Sequence, residues 1–219
     1  KRALEINPEL AQGHKNIGSA YMELGLIDKA IASYREAIRL DPSYASARHV
    51  LASLTGVQTT SAPREYVETL FDGYASRFDD SLVTGLDYQI PRKLLEVMME
   101  NRSGESFGSV LDLGCGTGLV GLEARDFVDN IEGIDLSQAM LEEASKKGIY
   151  SKLTHVDIID YLSESALDFD YFVCADVFIY IGELSSVFSL IKSRNHRSGR
   201  LVFSTEHNEQ VDFSLETSG

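Results

Sequence analysis

From residue 109 onward, short apolar runs alternate with stretches whose apolar positions recur at helical spacing. The runs at 109–113, 130–134, 152–156, 170–175 and 200–205 predict strands, being rich in Val, Ile, Leu, Phe and Tyr. The stretches at 118–127, 137–147, 158–163 and 183–192 predict helices. Strands spaced by helices form parallel βαβ units with right-handed crossovers. The prediction is an α/β, doubly wound, mainly parallel sheet, with ligands at the carboxyl ends of the strands where strand order reverses.

The N-terminal part follows a different pattern. Ile17, Gly18, Tyr21, Gly25, Ala30, Tyr34, Ala37 and Pro42 fall at the spacings of a tetratricopeptide repeat that begins at Ala11. The small residues let two antiparallel helices approach, and the larger ones fill the groove between them. Ala3 and Pro8 precede Ala37 and Pro42 by one period of about 34 residues, so the chain opens in the second helix of an earlier repeat. Residues 45–54 predict the first helix of a following unit. Such repeats bind extended peptides or partner proteins, or serve as packing arms; both readings stay open.

Between the two parts lies a short Thr/Ser/Pro linker, 58–63. A helix is expected to begin near Pro63, a favoured first-turn residue, and to carry Tyr66, Leu70, Phe71, Tyr74 and Phe78 on one aromatic face. An amphipathic helix at 91–99 leads into the first strand. The expected organisation is a repeat segment at 1–56, a linker with lead-in helices at 57–108, and an α/β core at 109–219.

The chemistry is densest at Val110-Leu111-Asp112-Leu113-Gly114-Cys115-Gly116-Thr117-Gly118. A buried strand turns there into a helix through three glycines, which tolerate positive φ and let a ligand come close. The helix beyond offers free N–H groups to a polar ligand. Asp135 closes the next strand, where a carboxylate can accept both hydroxyls of a ribose. The pattern points to a nucleoside cofactor. A dinucleotide fingerprint needs G-x-G-x-x-G, and Leu119 occupies the place of its third glycine, which disfavours a nicotinamide-dependent oxidoreductase.

The nine residues from Val110 to Gly118, with Asp135 at the expected distance, resemble the first motifs of the class I S-adenosylmethionine-dependent methyltransferases. The resemblance implies a Rossmann-like sheet of order 3-2-1-4-5 and S-adenosyl-L-methionine as cofactor. It implies that Asp112 lies near the methionine ammonium and that the turn through Gly114, Cys115, Gly116 and Gly118 passes beneath methionine and ribose. Asp135 then holds the ribose, and Leu136 packs on the adenine face. Asp157 would accept from the adenine amino group while Ile158 supplies an N–H. An acidic residue at a strand end is equally a helix N-cap, so Asp157 has two readings.

Asp176, in Ala175-Asp176-Val177, falls beneath the expected methyl. The segment Phe71 to Asp79 is similar to one that covers the cofactor in small-molecule methyltransferases. It suggests Tyr74 and Phe78 as lid residues; plain core packing is the competing reading. The family normally adds two more strands, the last antiparallel. Only thirteen residues follow Glu206, so the chain reads as truncated at both ends.

Methyl transfer from a sulfonium is an in-line displacement that needs alignment and a desolvated pocket more than a strong base. Where the acceptor must lose a proton, Asp176, Tyr180 and His207 are the candidate bases. His155, inside a strand, reads as structural. The fourth strand ends in Ala-Asp-Val-Phe-Ile-Tyr and lacks the Asn/Asp-Pro-Pro-Tyr/Phe element of adenine amino methyltransferases. Neither Cys115 nor Cys174 stands where a pyrimidine-attacking nucleophile would, and no His/Cys cluster suggests a metal.

Charge narrows the partners. Residues 1–62 carry 7 basic and 6 acidic groups, whereas residues 63–219 carry 13 and 28. So acidic a core disfavours nucleic acid as the main substrate. Lys192, Arg194, Arg197 and Arg200 form one basic cluster, either a solvated loop near a helix C-terminus or a binding patch. No apolar run is long enough for a membrane span, and no signal peptide opens the chain; with two cysteines in strand ends or turns, a reducing cytoplasm is expected. The leading expectation is a methyltransferase acting on a small molecule or on a protein brought by the repeats. The alternative is a non-catalytic repeat scaffold whose α/β domain is a cofactor-sensing or structural module.

Overall fold

A computed structural model of the chain describes residues 2–57, 61–101, 104, 106–164 and 166–206. They divide into two units, one reaching to Tyr66 and the other beginning at Val67.

The first unit is helical: α1 (Arg2–Ile6), α2 (Ala11–Glu23), α3 (Ile27–Leu40) and α4 (Ala45–Thr55). Gly18 lets α2 and α3 approach closely. A Cβ there would stand 3.1 Å from the Tyr34 ring, which is fully buried between Ala30 and Ala37. The Tyr34 hydroxyl lies 3.0 Å from Ser19 Oγ, and Tyr44 donates to Gln12, so both phenols keep a polar partner. Gly18, Ala30, Tyr34 and Ala37 are among the residues that the repeat spacing singles out.

The boundary falls within α5 (Arg64–Asp72), and the second unit continues with α6 (Ala75–Asp79), a π-helical turn (Asp80–Gly85) and α7 (Ile90–Glu100). The single aromatic helix expected from Pro63 through Phe78 is therefore broken. The Gly73 N–H still reaches the Thr69 carbonyl, but Tyr74 turns back to Phe71, and a new helix starts at Ala75. Gly73 is the weakest helix former after the opening Pro63, and the break falls there.

The core alternates as expected: β1 (Ser109–Leu113), α8 (Leu119–Ala124), β2 (Asn130–Asp135), α9 (Gln138–Lys147), β3 (Lys152–His155), α10 (Ile158–Glu164), β4 (Tyr171–Cys174), α11 (Phe178–Ile181), α12 (Ser185–Arg194) and β5 (Arg200–Phe203). The short α11 was not expected from the periodicity. All the strand pairs are parallel, in the order β3-β2-β1-β4-β5. Alternation along β1 splits the core. Leu111 and Leu113 face Ile134, Leu162, Phe172 and Val187, while Val110 joins Leu94, Met98, Val120, Ile131 and Val173. Asp112 shares the Val110 face.

At the amino ends of the strands, Asp170 accepts from the Ser109 N–H and hydroxyl at 2.9 and 3.0 Å, and Arg197 closes on Asp168 and Asp170 at 2.7 and 2.9 Å. Arg200 donates to Asn101 O and to the Tyr171 hydroxyl. Two members of the basic cluster thus staple loops to the sheet, which supports the loop reading over a binding patch. Both cysteines are buried free thiols, and no helix among the described residues is long and apolar enough to cross a membrane.

Candidate functional site

The glycine turn leaves β1 with the Gly114 and Cys115 N–H groups both on the Ile134 carbonyl at 2.9 Å. Gly114, Gly116 and Gly118 have φ of 72°, 53° and 90°, the left-handed region that disfavours a side chain. Their surroundings differ. A Cβ at Gly114 would meet Val177 at 2.5 Å, and one at Gly118 would meet the Tyr150 ring at 2.9 Å. Nothing lies within 4 Å of a Cβ at Gly116. Two of the glycines therefore admit protein side chains, and only the middle one faces open space.

Asp135 clamps this turn to the next loop. Its Oδ2 accepts the Gly116 N–H at 2.8 Å, and its Oδ1 accepts the Ser137 N–H at 2.8 Å. Burial pushes its carboxyl up, and these N–H groups draw it back down. Ser137 caps α9, its hydroxyl accepting from Met140 N at 3.2 Å.

Asp112 is fully buried on the end of β1. Its Oδ2 accepts from the Tyr150 hydroxyl at 2.7 Å, while its Oδ1 has no partner among the described residues. Burial pushes the carboxyl up to about 7, opposed by the Tyr150 bond and reinforced by the Asp135 charge. A sealed carboxylate oxygen with no donor suits a cationic group. Cys115, in the same turn, is buried with its thiol pushed up.

Around the third strand, Asp157 caps α10, its Oδ1 accepting from Ile159 N at 2.8 Å and Asp160 N at 3.3 Å. The N-cap reading is thus present in the structure. Ile158 is buried in the first turn of α10, its side chain in the core. The Leu136 carbonyl lies 2.8 Å from His155 Nε2, so His155 holds the loop after β2, as a structural residue would.

Asp176, beyond β4, has φ of 53°, strained for a residue with a side chain. It is held from two sides: Ser204 donates to Oδ1 at 2.5 Å, and Tyr88 donates to Oδ2 at 2.7 Å. Asp87, beside Tyr88, has φ of 49°, so backbone strain flanks this hydrogen bond on both sides. Burial, with the carboxylate beside it, pushes the Tyr88 hydroxyl far up, so it stays a donor. Tyr180, on α11, meets Phe71 edge-on at 5.5 Å. His207 lies outside the described residues. Tyr88, Tyr150 and Ser204 carry no local signal in the sequence; each reaches its partner across the fold.

The lead-in segment is pinned to the ends of β1 and β2. Asp72 Oδ1 accepts from the Ser137 hydroxyl at 2.5 Å and from Ala139 N at 3.3 Å. Asp79 accepts from Thr117 and pairs with Lys147 at 2.7 Å. Phe78 packs edge-on against Phe71 at 6.2 Å and Tyr74 at 5.5 Å, and the Arg77 guanidinium lies 5.3 Å from the Tyr74 ring. No group of three or more metal-ligating side chains is gathered among the described residues.

Residues 110–196 match the family model of the methyltransferase domain, and residues 11–44 match that of the tetratricopeptide repeat. The human methyltransferase-like protein 27 is 34% identical over 87 residues, covering 38% of this chain and 35% of that protein. The ribosomal RNA large subunit methyltransferase G of Shewanella woodyi is 37% identical over 60 residues, 26% of this chain and 14% of its own length. The matches thus span about a third or less of these relatives. Among solved structures, the DhpI-SAM-HEP complex aligns with a TM-score of 0.55 at 22% identity, over 68% of this chain and 70% of that one. Magnesium protoporphyrin IX methyltransferase from Synechocystis, with bound SAM, aligns at 0.50 and 19% over 67% and 80%. At these identities the structures speak for the fold. Residues 110–196 are therefore similar to a methyltransferase domain, and residues 11–44 to a tetratricopeptide repeat.

Proposed function

We propose that this chain transfers the methyl group of S-adenosyl-L-methionine to a nucleophile on a small molecule or a protein. One observation carries the reading. The open side of Gly116, the Asp135 carboxylate and the unpartnered Oδ1 of Asp112 stand together at the carboxyl ends of β1 and β2.

In this reading Asp112 holds the methionine ammonium. The turn through Gly114, Cys115, Gly116 and Gly118 lies under methionine and ribose, with the approach at Gly116. Asp135 holds the ribose hydroxyls through the lone pairs its two N–H bonds leave. Leu136, Ile158 and Asp157 form the adenine end, Asp157 while also capping α10. Tyr74 and Phe78 close the site from above and exclude water. When bound, the cofactor supplies an electrophilic methyl on a sulfonium.

The acceptor side is assigned to the end of β4. A proton leaving the acceptor goes to the Asp176 carboxylate, which Tyr88 and Ser204 hold in one orientation. Tyr180 and His207 remain candidate bases by their positions after β4 and β5. The repeat supports a protein partner, as acceptor or as carrier. The acidic core and the stapled arginines speak against nucleic acid, and buried free thiols fit a cytoplasmic location.

Calorimetry with S-adenosylmethionine and S-adenosylhomocysteine, with NAD as control, tests the reading. Micromolar binding of the sulfur nucleosides but not of NAD is expected. Asp135→Ala is expected to weaken that binding at least about tenfold by removing ribose hydrogen bonds. Unchanged affinity in that variant overturns the assignment, and cofactor binding without turnover across an acceptor screen favours the scaffold alternative.

A further inference from the structure

Tyr150 sits in a slot made by glycines. A Cβ at Gly118 would stand 2.9 Å from the Tyr150 ring, one at Gly121 2.6 Å from its Cζ and hydroxyl, and one at Gly133 2.9 Å from its Cδ1. Gly121 lies inside α8 and Gly133 inside β2, places where glycine weakens the element. The ring fills the space a side chain would need at each of them, at Gly133 together with Cys115 and Leu153.

The slot fixes the hydroxyl. Gly121 N–H, in the first turn of α8 where no intrahelical acceptor exists, donates to it at 3.1 Å. With that lone pair engaged, the phenol's one hydrogen points to Asp112 Oδ2 at 2.7 Å. The carboxyl is thereby held in one rotamer, with Oδ1 left over and sealed from solvent. A phenol has a single hydrogen to give, so it satisfies one oxygen and leaves the other.

We propose that Tyr150 is a positioning residue for the charged end of the cofactor: it pins Asp112 through Oδ2 and so presents Oδ1 to a primary ammonium. This rests on the cofactor reading above and adds a residue to it. It also makes the site selective for nucleosides that carry an amino-acid tail.

The titratable groups that interact with Asp112 are Tyr150 by its hydrogen bond, Asp135 by its charge, and Cys115, Cys174 and Tyr88, which feel the Asp112 charge. Burial pushes both thiols and both phenols up, so they stay neutral, and Tyr150 donates at any ordinary pH. The Tyr150 bond favours the ionised form of Asp112.

The test compares S-adenosylhomocysteine with 5′-methylthioadenosine, which keeps the nucleoside and sulfur but has no ammonium. Both are titrated calorimetrically into the wild-type chain and Tyr150→Phe across neutral pH. Tyr150→Phe keeps the ring in its slot. Expected is an about tenfold loss for S-adenosylhomocysteine, an about equal affinity for methylthioadenosine, and a higher pH midpoint for the former. Equal loss for both ligands, or none for either, overturns the proposal. A wild-type chain that binds neither ligand removes the cofactor reading itself, and this inference with it. If Tyr150→Phe does not fold, fluorotyrosine at position 150 gives a stronger donor; the pH midpoint then falls, and an unmoved midpoint overturns the proposal.

Discussion

The Thr117 hydroxyl donates a 2.5 Å hydrogen bond to Asp79 Oδ1, tying the glycine turn to the end of α6. Lys147 completes the link, its Nζ lying 2.7 Å from Asp79 Oδ2 and 2.6 Å from the Thr117 carbonyl. The segment that would cover the site is therefore fastened to the loop it would cover.

Asp79→Ala cuts that fastening. Because Asp79 is partly exposed, the cost in stability is small, about 1 kcal/mol. The effect on ligand binding is larger: S-adenosylhomocysteine is expected to dissociate faster with little change in association rate. Stopped-flow binding together with a thermal melt checks this, and an unchanged dissociation rate sinks the covering role of the segment.

Gly116 and Gly118 separate ligand space from protein space. Gly116→Ala puts a methyl into open space at positive φ, costing about 1–2 kcal/mol of stability. In the proposed site it also fills the cofactor's approach, so binding is lost. Gly118→Ala strains the backbone in the same way and also drives into the Tyr150 ring, so its melting temperature falls further. Melts of the two variants rank them; the opposite order contradicts the geometry.

Asp112 makes stability depend on pH. Its folded carboxyl titrates near 7, above its ordinary value of 3.8. Between those values the folded chain holds a proton that the unfolded chain has lost, so stability falls as pH rises from about 4 to about 7 and then levels off. The loss is at most about 4 kcal/mol. Asp112→Asn removes this contribution, leaving that of Asp135, whose carboxyl burial also pushes up, and is more stable than wild type above neutrality in the absence of ligand. Urea melts of wild type and Asp112→Asn across the range measure it, and a stability difference between them that does not grow from about pH 4 to about pH 7 contradicts the assignment.

Asp176 and Tyr88 are coupled. Asp176→Gly relieves the strain at φ 53° but leaves the Tyr88 hydroxyl half-buried without its acceptor, a net cost of about 1–2 kcal/mol. Adding Tyr88→Phe removes the stranded donor and recovers much of that loss. A double-mutant cycle is expected to give a coupling of about 1 kcal/mol or more. Additive single effects would mean that the hydrogen bond contributes nothing.

The sequence by itself determined whatever depends on neighbours along the chain. Five apolar runs at regular spacing specify the parallel sheet, because the side-chain period of a strand and that of a helix differ. The left-handed turn from Gly114 to Gly118 follows from residue type, since three positions there take positive φ. Asp135 at the end of β2 and the N-cap reading of Asp157 are equally local. In the repeat, Gly18 and Tyr34 are recognisable because their spacing repeats.

Tertiary structure decided what rests on partners far apart in sequence. Tyr88 reaches Asp176 across 88 positions and Tyr150 reaches Asp112 across 38, and no periodicity encodes such pairs. It also decided which glycine faces a ligand: all three look alike in sequence, but Val177 and Tyr150 fill the space beside two of them. The choice between a functional and a structural role for Arg197 was likewise made by Asp168 and Asp170, brought to it by the fold. Local physics sets backbone form and periodicity. Which polar atoms end up buried, paired or left over is settled only when the elements pack.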